Sequence, residues 1–180
     1  MGSYLEVLKD ITTFIFDIDG VLTDGQVVIM PDGEQLRRMS TRDGYALQLA
    51  KKKGYNVAII SGGRSETVRS RFTYLGILDV YLGSHDKLGT LDEYCLTYDI
   101  KPQNILYMGD DIPDYGVMKQ VALPSCPIDA AIEIREISHF ISTKKGGNGA
   151  VREAIEMVMR SQKKWFDTST ESDKLKDYGW

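Results

Sequence analysis

Apolar runs of strand length alternate with segments of helical period along most of this chain, and that alternation limits the fold more than any other feature. "TTFIF", "NVAII", "DVYL", "NILYM" and "HFIS" read as strands, while "YALQLAKKK", "SETVRSRFTYL", "KLGTLDEYCLTY", "AAIEIREI" and "AVREAIEMVMRSQ" read as helices. The rhythm predicts an α/β fold, a Rossmann-like parallel sheet flanked by helices on both faces. Gly54 and Gly76 fall where helices should stop, and Pro102 and Pro113 punctuate connections. For 180 residues, the simplest division is one domain over 1–165 and a polar tail over 166–180. One segment breaks the rhythm. "QVVIMPDGEQLRRMS" sets a Pro-Asp-Gly turn between two extended stretches, which predicts a β-hairpin over about 26–39, placed as a flap beside the end of the first strand.

Several classes of function are disfavoured. The net charge is -4 and no basic stretch outweighs the acidic background, which argues against nucleic acid or an anionic membrane as partner. No stretch is long enough to span a bilayer, and the first residues lack a basic segment followed by an apolar run, so the cytosol is the expected compartment. Cys95 and Cys126 lie far apart without a CxxC pattern, so they are expected as reduced core residues rather than a disulfide or zinc site.

Ligands of open α/β sheets bind beyond the carboxyl ends of the strands. Asp17 and Asp19 follow "TTFIF", Ser61, Gly62 and Gly63 follow "NVAII", and Gly109, Asp110 and Asp111 follow "NILYM". Residues two apart on extended backbone point to one side, so Asp17 and Asp19 can face one site while Ile18 turns into the core. Carboxylates gathered there repel one another unless a cation or a shared proton compensates, and a few carboxylates with carbonyls and water suit Mg2+. In such a site Asp17 is placed to attack phosphorus as nucleophile, and Asp19 to act as general acid and base. Ser61 can donate to phosphoryl oxygens, Lys87 can supply a fixed positive charge, Asp110 can complete the metal shell, and Asp111 can orient its waters. Taken singly, the pieces have plainer explanations: "SGGR" as a turn before a helix, "GDD" as a turn, Lys87 as a solvated lysine. Their order along one chain, with three of them at strand ends, favours the catalytic reading.

With those residues assembled, the chain resembles phosphatases of the haloacid dehalogenase superfamily. "FDIDG" matches the nucleophile motif, "IISGG" the Ser/Thr motif, Lys87 the lysine and "MGDDIPD" the acidic motif. The resemblance implies metal ligation by Asp17, the backbone carbonyl of Asp19, and Asp110. Superfamily members usually carry a cap domain, yet only 44 positions separate Asp17 from Ser61 and 26 separate Ser61 from Lys87. No cap fits those intervals. An oligomer in which a neighbour's hairpin or tail covers the cleft is the simplest alternative means of excluding water.

"GVLTDG", "STRDGYALQL" and "GGNGAVREAIE" are similar to a capless group in lipopolysaccharide-sugar synthesis that releases phosphate from an eight-carbon keto-deoxy sugar acid and assembles as a homotetramer. That likeness implies substrate contacts from Asp19, Ser40, Thr41, Arg42, Asp43, Gly44, Gly63 or Arg64, Arg71 and Lys87. Arg42, Arg64 and Arg71 suit a carboxylate by bidentate pairing, and Asp43 is expected to pair with a neighbouring arginine. "GGNG" either starts the last helix or brings the chain close to the cleft. Three rival readings remain: a nine-carbon ulosonate phosphate as substrate, a phosphoacceptor module without turnover, and a mutase. Asp19, two positions after the acceptor, speaks against the second, and the missing cap against the third.

Overall fold

The computed structural model describes residues 5–169 and 172–179. Six strands form a parallel sheet: β1 (Thr13–Phe16), β4 (Asn56–Ser61), β5 (Asp79–Leu82), β6 (Ile105–Met108), β7 (Leu123–Cys126) and β8 (Phe140–Ile141), in the spatial order β5-β4-β1-β6-β7-β8. The remaining two, β2 (Val28–Ile29) and β3 (Gln35–Leu36), pair antiparallel as the separate hairpin. Strand β7 is missing from the sequence reading. "LPSC" is short and contains Pro124, which has no N–H to give the ladder, so pattern alone gives it no strand signature. The sheet accepts it because Pro124 O still takes the His139 amide at 2.8 Å.

Residues of period two divide the core. Phe14, Phe16, Val57, Ile59, Leu106 and Met108 face one side, where they pack with α1 (Thr41–Lys52), α2 (Glu66–Tyr74) and α6 (Ala150–Ser161). Ile15, Ala58, Ile60, Ile105 and Tyr107 face the other side, against α3 (Lys87–Tyr98), α4 (Tyr115–Met118) and α5 (Ile132–Ile137). Burial on both faces explains why the strands read as continuous apolar runs rather than alternating ones.

Strand β1 lies at the centre, paired with β4 at Phe16↔Ile59 and with β6 at Phe16↔Met108. From β1 the chain fills one edge through β4 and β5, then crosses to β6 and fills the other. The reversal of direction falls between β1 and β6, and there the carboxyl ends of neighbouring strands diverge into a crevice.

The loop leaving β1 is tied down from within. Thr23 Oγ1 accepts from the amides of Gly20 (3.3 Å) and Gly25 (3.2 Å) and donates to Ile18 O (3.3 Å). "GGNG" does two things at once. It leads into α6 through Gly149, and the Gly147 amide donates to Val21 O at 2.9 Å, so the segment packs directly on the loop after β1. A Cβ on Gly146 would overlap the Gly20 carbonyl oxygen. The described part of the tail lies on α1 of its own chain: Tyr45 Oη donates to Tyr178 O (2.8 Å) and Lys52 Nζ to Gly179 O (2.6 Å). Among the described residues no helix is long and apolar enough to cross a membrane, and Cys95 and Cys126 are both free thiols.

Gly146→Ala forces backbone against backbone, where no rotamer change can relieve the clash. The variant is expected to lose about 1–3 kcal/mol in urea denaturation, the usual cost of overpacking.

Candidate active site

Strand ends deliver the site. Asp17 follows β1, with its amide donating to Met108 O at 3.0 Å, so the loops after β1 and β6 are stitched together at their roots. Asp17, Asp19, Gly20, Ser61, Gly63, His85, Lys87, Asp110, Asp111 and Asp114 are among the residues lining one cavity of about 460 Å³ at the crevice. Gly20 lies at φ +85°, and the Asp110 carboxylate occupies the space its Cβ would need. A glycine is required there for both reasons.

Lys87, the first residue of α3, reaches inward from a helix capped by Asp86, whose carboxylate accepts from the Gly89 amide at 2.9 Å. Its ammonium sits 3.1 Å from Asp17 Oδ2 and 2.8 Å from Asp114 Oδ1, with all three side chains buried. Burial works against its charge, and Asp17 and Asp114 together outweigh burial, leaving the lysine pKa raised. Asp114 is a site residue to which the sequence reading gave no role. It accepts from Tyr107 Oη (2.7 Å) and from the Asp110 amide (3.3 Å), and so fixes both lysine and acidic loop. Its signal was the last Asp of "MGDDIPD", four positions after Asp110.

Burial pushes the Asp17 carboxyl up to about 6, with repulsion from Asp114 adding to it. Burial, then Asp17, Asp114 and Asp111, push Asp110 up to about 8. Asp17, Asp110 and Asp114 each offer an oxygen within 4.8 Å of the others, and Asp17 Oδ1 is buried with no hydrogen-bond partner among the described residues. An orphaned buried oxygen inside a set of carboxylates is the donor chemistry of a hard divalent cation, so these residues fit magnesium.

The other expected site residues divide. Ser61 is buried at the end of β4, with its Oγ accepting from the Gly63 amide at 3.2 Å. Asp111 caps the 3-10 turn Ile112–Asp114 through the Ile112 amide (2.8 Å). Asp19 is held by Arg37, a residue absent from the sequence reading. Of the two candidates in "SGGR", Gly63 lines the cavity, whereas Arg64 lies against Gly83 and faces a space between the hairpin turn and α2. Ser40, Thr41, Arg42, Asp43, Gly44 and Arg71 do not line the cavity of this chain. Ser40 caps α1 through the Asp43 amide (3.3 Å), Thr41 opens that helix, and the Arg71 guanidinium lies over Gly44. Arg42 faces a groove along α6 with Lys144 and Arg152. Asp43 corrects an expectation: rather than pairing with an arginine side chain, it accepts from the amides of Gly149 (3.2 Å) and Arg152 (2.8 Å) and caps α6 from α1. Unpaired amides at a helix start are a stronger demand on a buried carboxylate than a solvated arginine.

No protein-family model matches the chain. The 3-deoxy-D-manno-octulosonate 8-phosphate phosphatase of Yersinia pestis is 36% identical over 155 residues, covering 86% of this chain and 83% of that protein. A crystal structure of the phosphatase of the same name from Moraxella catarrhalis, in complex with magnesium, phosphate and KDO, superposes with a TM-score of 0.87 at 34% identity, covering 91% of this chain and 94% of that one. A Legionella pneumophila structure described as a hydrolase of the haloacid dehalogenase superfamily, subfamily III A, superposes at 0.88 with 34% identity over 91% of this chain and 90% of that one.

Both raised carboxyls bind protons more tightly in the folded chain than in the unfolded one. Without a divalent ion, their contribution to stability is therefore fully present below the ordinary carboxylate range and is lost as pH rises through about 6 for Asp17 and about 8 for Asp110. A cation replaces the lost protons, so added magnesium should raise the melting temperature more at pH 8 than at pH 5, as thermal melts with and without the ion would read.

Proposed function

The chain belongs to the 3-deoxy-D-manno-octulosonate 8-phosphate phosphatases of the haloacid dehalogenase superfamily, and from that membership we propose that it releases phosphate from this eight-carbon sugar acid, in lipopolysaccharide sugar synthesis. The observation that carries the reading is Asp17, a buried carboxylate at the crevice with Lys87 on one oxygen and no partner on the other. Asp17, Asp110 and the backbone carbonyl of Asp19 would hold magnesium, which when bound supplies positive charge to the phosphoryl oxygens.

The chain's own residues do the rest. The Asp17 carboxylate attacks phosphorus and forms an aspartyl phosphate while the sugar alkoxide departs. Asp19 gives the alkoxide a proton and later takes one from the attacking water. Lys87 neutralises charge on Asp17 and on the phosphoryl group, and Asp114 with Tyr107 holds the ammonium in place. Ser61 Oγ and the Gly62 and Gly63 amides would donate to phosphoryl oxygens, and Asp111 would orient water beside the bound ion.

For the sugar, the proposed contacts are Asp19, Ser40, Thr41, Arg42, Asp43, Gly44, Gly63 or Arg64, Arg71 and Lys87. Asp43 contributes through the α1 turn it anchors, because its carboxylate is committed to α6. Arg42 and Arg71 lie outside this chain's cavity, and the hairpin exposes Val28 (63%) and Ile29 (71%). Both features favour a homotetramer in which neighbouring copies complete and close each cleft. The proposed compartment is the cytoplasm.

Phosphate release from the eight-carbon ester should require magnesium and vanish in Asp17→Asn. Asp19→Asn should lose about 10²–10⁴-fold in kcat, the worth of a general acid and base. Stronger turnover of a nine-carbon ulosonate 9-phosphate would move the substrate assignment to that ester.

A further inference from the structure

Arg37 and Arg38 follow the return strand of the hairpin and point in opposite ways. The side chain of Arg38 is 86% exposed, on an outer ion pair with Asp24, whereas that of Arg37 is 7% exposed. Its guanidinium forks onto Asp19: Nε donates to Oδ1 at 2.6 Å and Nη2 to Oδ2 at 3.0 Å, while Nη1 donates to Gln35 O at 3.1 Å. Among the described residues no other hydrogen bond reaches the Asp19 carboxylate. Ile18, Ser61, Gly63, Val68 and Leu82 wall in this pair. Gly63 leaves just enough room, since a Cβ there would come within 3.3 Å of Asp19 Oδ2 and 3.4 Å of Arg37 Nη2.

A planar fork fixes the plane of the carboxylate it holds as well as its distance. Asp19 is 37% exposed and sits on the loop after β1, so the plane of its carboxylate is set by Arg37 rather than by packing. Resting on the assignment of Asp19 as general acid and base, we propose that Arg37 is a positioning residue that aims the Asp19 carboxylate at the leaving-group oxygen and couples its orientation to the hairpin. Both carboxylate oxygens are occupied, so one arm of the fork lets go as the oxygen it held takes a proton from water, and this proton passes to the leaving oxygen while the other arm keeps the aim. The hairpin is the carrier. Its strands pair over two residues each, and its turn meets the body where Thr67 donates to Glu34 at 3.2 Å, while the solvent-exposed pair of Arg38 with Asp24 adds little. Whatever moves residues 35–37 turns Asp19 with them.

The test is a double-mutant cycle in the full chain with magnesium, measured on the eight-carbon ester and on phenyl phosphate, which needs no sugar recognition. Arg37→Ala should lower kcat about 10–100-fold with KM held within about threefold, and Arg37→Lys, which keeps one charged donor, should recover most of the loss. In an Asp19→Asn background, Arg37→Ala should change kcat by less than about twofold, because the two residues act as one unit. Arg38→Ala should turn over like the wild type. A multiplicative loss in the Asp19→Asn background, a loss in KM alone, or an equal loss in Arg38→Ala overturns the proposal. Silence of Arg37→Ala beside a crippled Asp19→Asn overturns it while leaving the function standing, whereas silence of Asp19→Asn on both esters removes the acid and base assignment beneath it.

Discussion

The ammonium of Lys87, wedged between Asp17 and Asp114, is the interaction on which the site depends. Carboxylates placed at the ends of adjacent buried strands would each protonate if left alone, and a protonated Asp17 is no nucleophile. One lysine cannot neutralise Asp17, Asp110 and Asp114 together, so burial first, and the repulsion among the carboxylates after it, keep Asp17 raised to about 6 and Asp110 to about 8 even with Lys87 in place. The residual negative charge is the attraction for a cation. Breaking a buried pair of this kind costs about 3–5 kcal/mol, so the lysine holds up the structure as well as the chemistry.

Around that charge cluster, the fold works by close backbone approach. Gly20 gives its Cβ space to the Asp110 carboxylate, and Gly146 gives its space to the Gly20 carbonyl, so three loops from distant parts of the chain stack in order. Asp43 extends the stack by anchoring the start of α6 to α1. Asp17 and Asp110 thus hold their places through close backbone contacts.

The acidic end of the cleft is built within one chain. Arg42 and Arg71 do not line the cavity, and the hairpin exposes Val28 and Ile29 while the side chain of Arg37 is buried against Asp19. The hairpin is thereby tied to Asp19 through Arg37 and leaves an apolar face exposed.

Much of this was legible in the sequence. Apolar runs and helical periods gave the layers, since a strand buried on both faces has to be apolar throughout, and turn chemistry gave the hairpin. Asp17 and Asp19 stood out because acids at the end of a buried strand are costly without a purpose, and Ser61, Lys87 and Asp110 because they follow them in order along the chain. Strand β7 stayed hidden behind Pro124, and Asp114, Arg37 and the true partner of Asp43 stayed hidden for a different reason. Local pattern records what a residue prefers among its chain neighbours, so it determined the elements and the strand-end acids. Which carboxylate meets Lys87, which arginine meets Asp19, and which helix start claims Asp43 are pairings across 27, 18 and 106 positions of chain. Such pairings are decided only when folding brings the loops together, because the energy that selects a partner for a buried charge exists only after water has been excluded from around it.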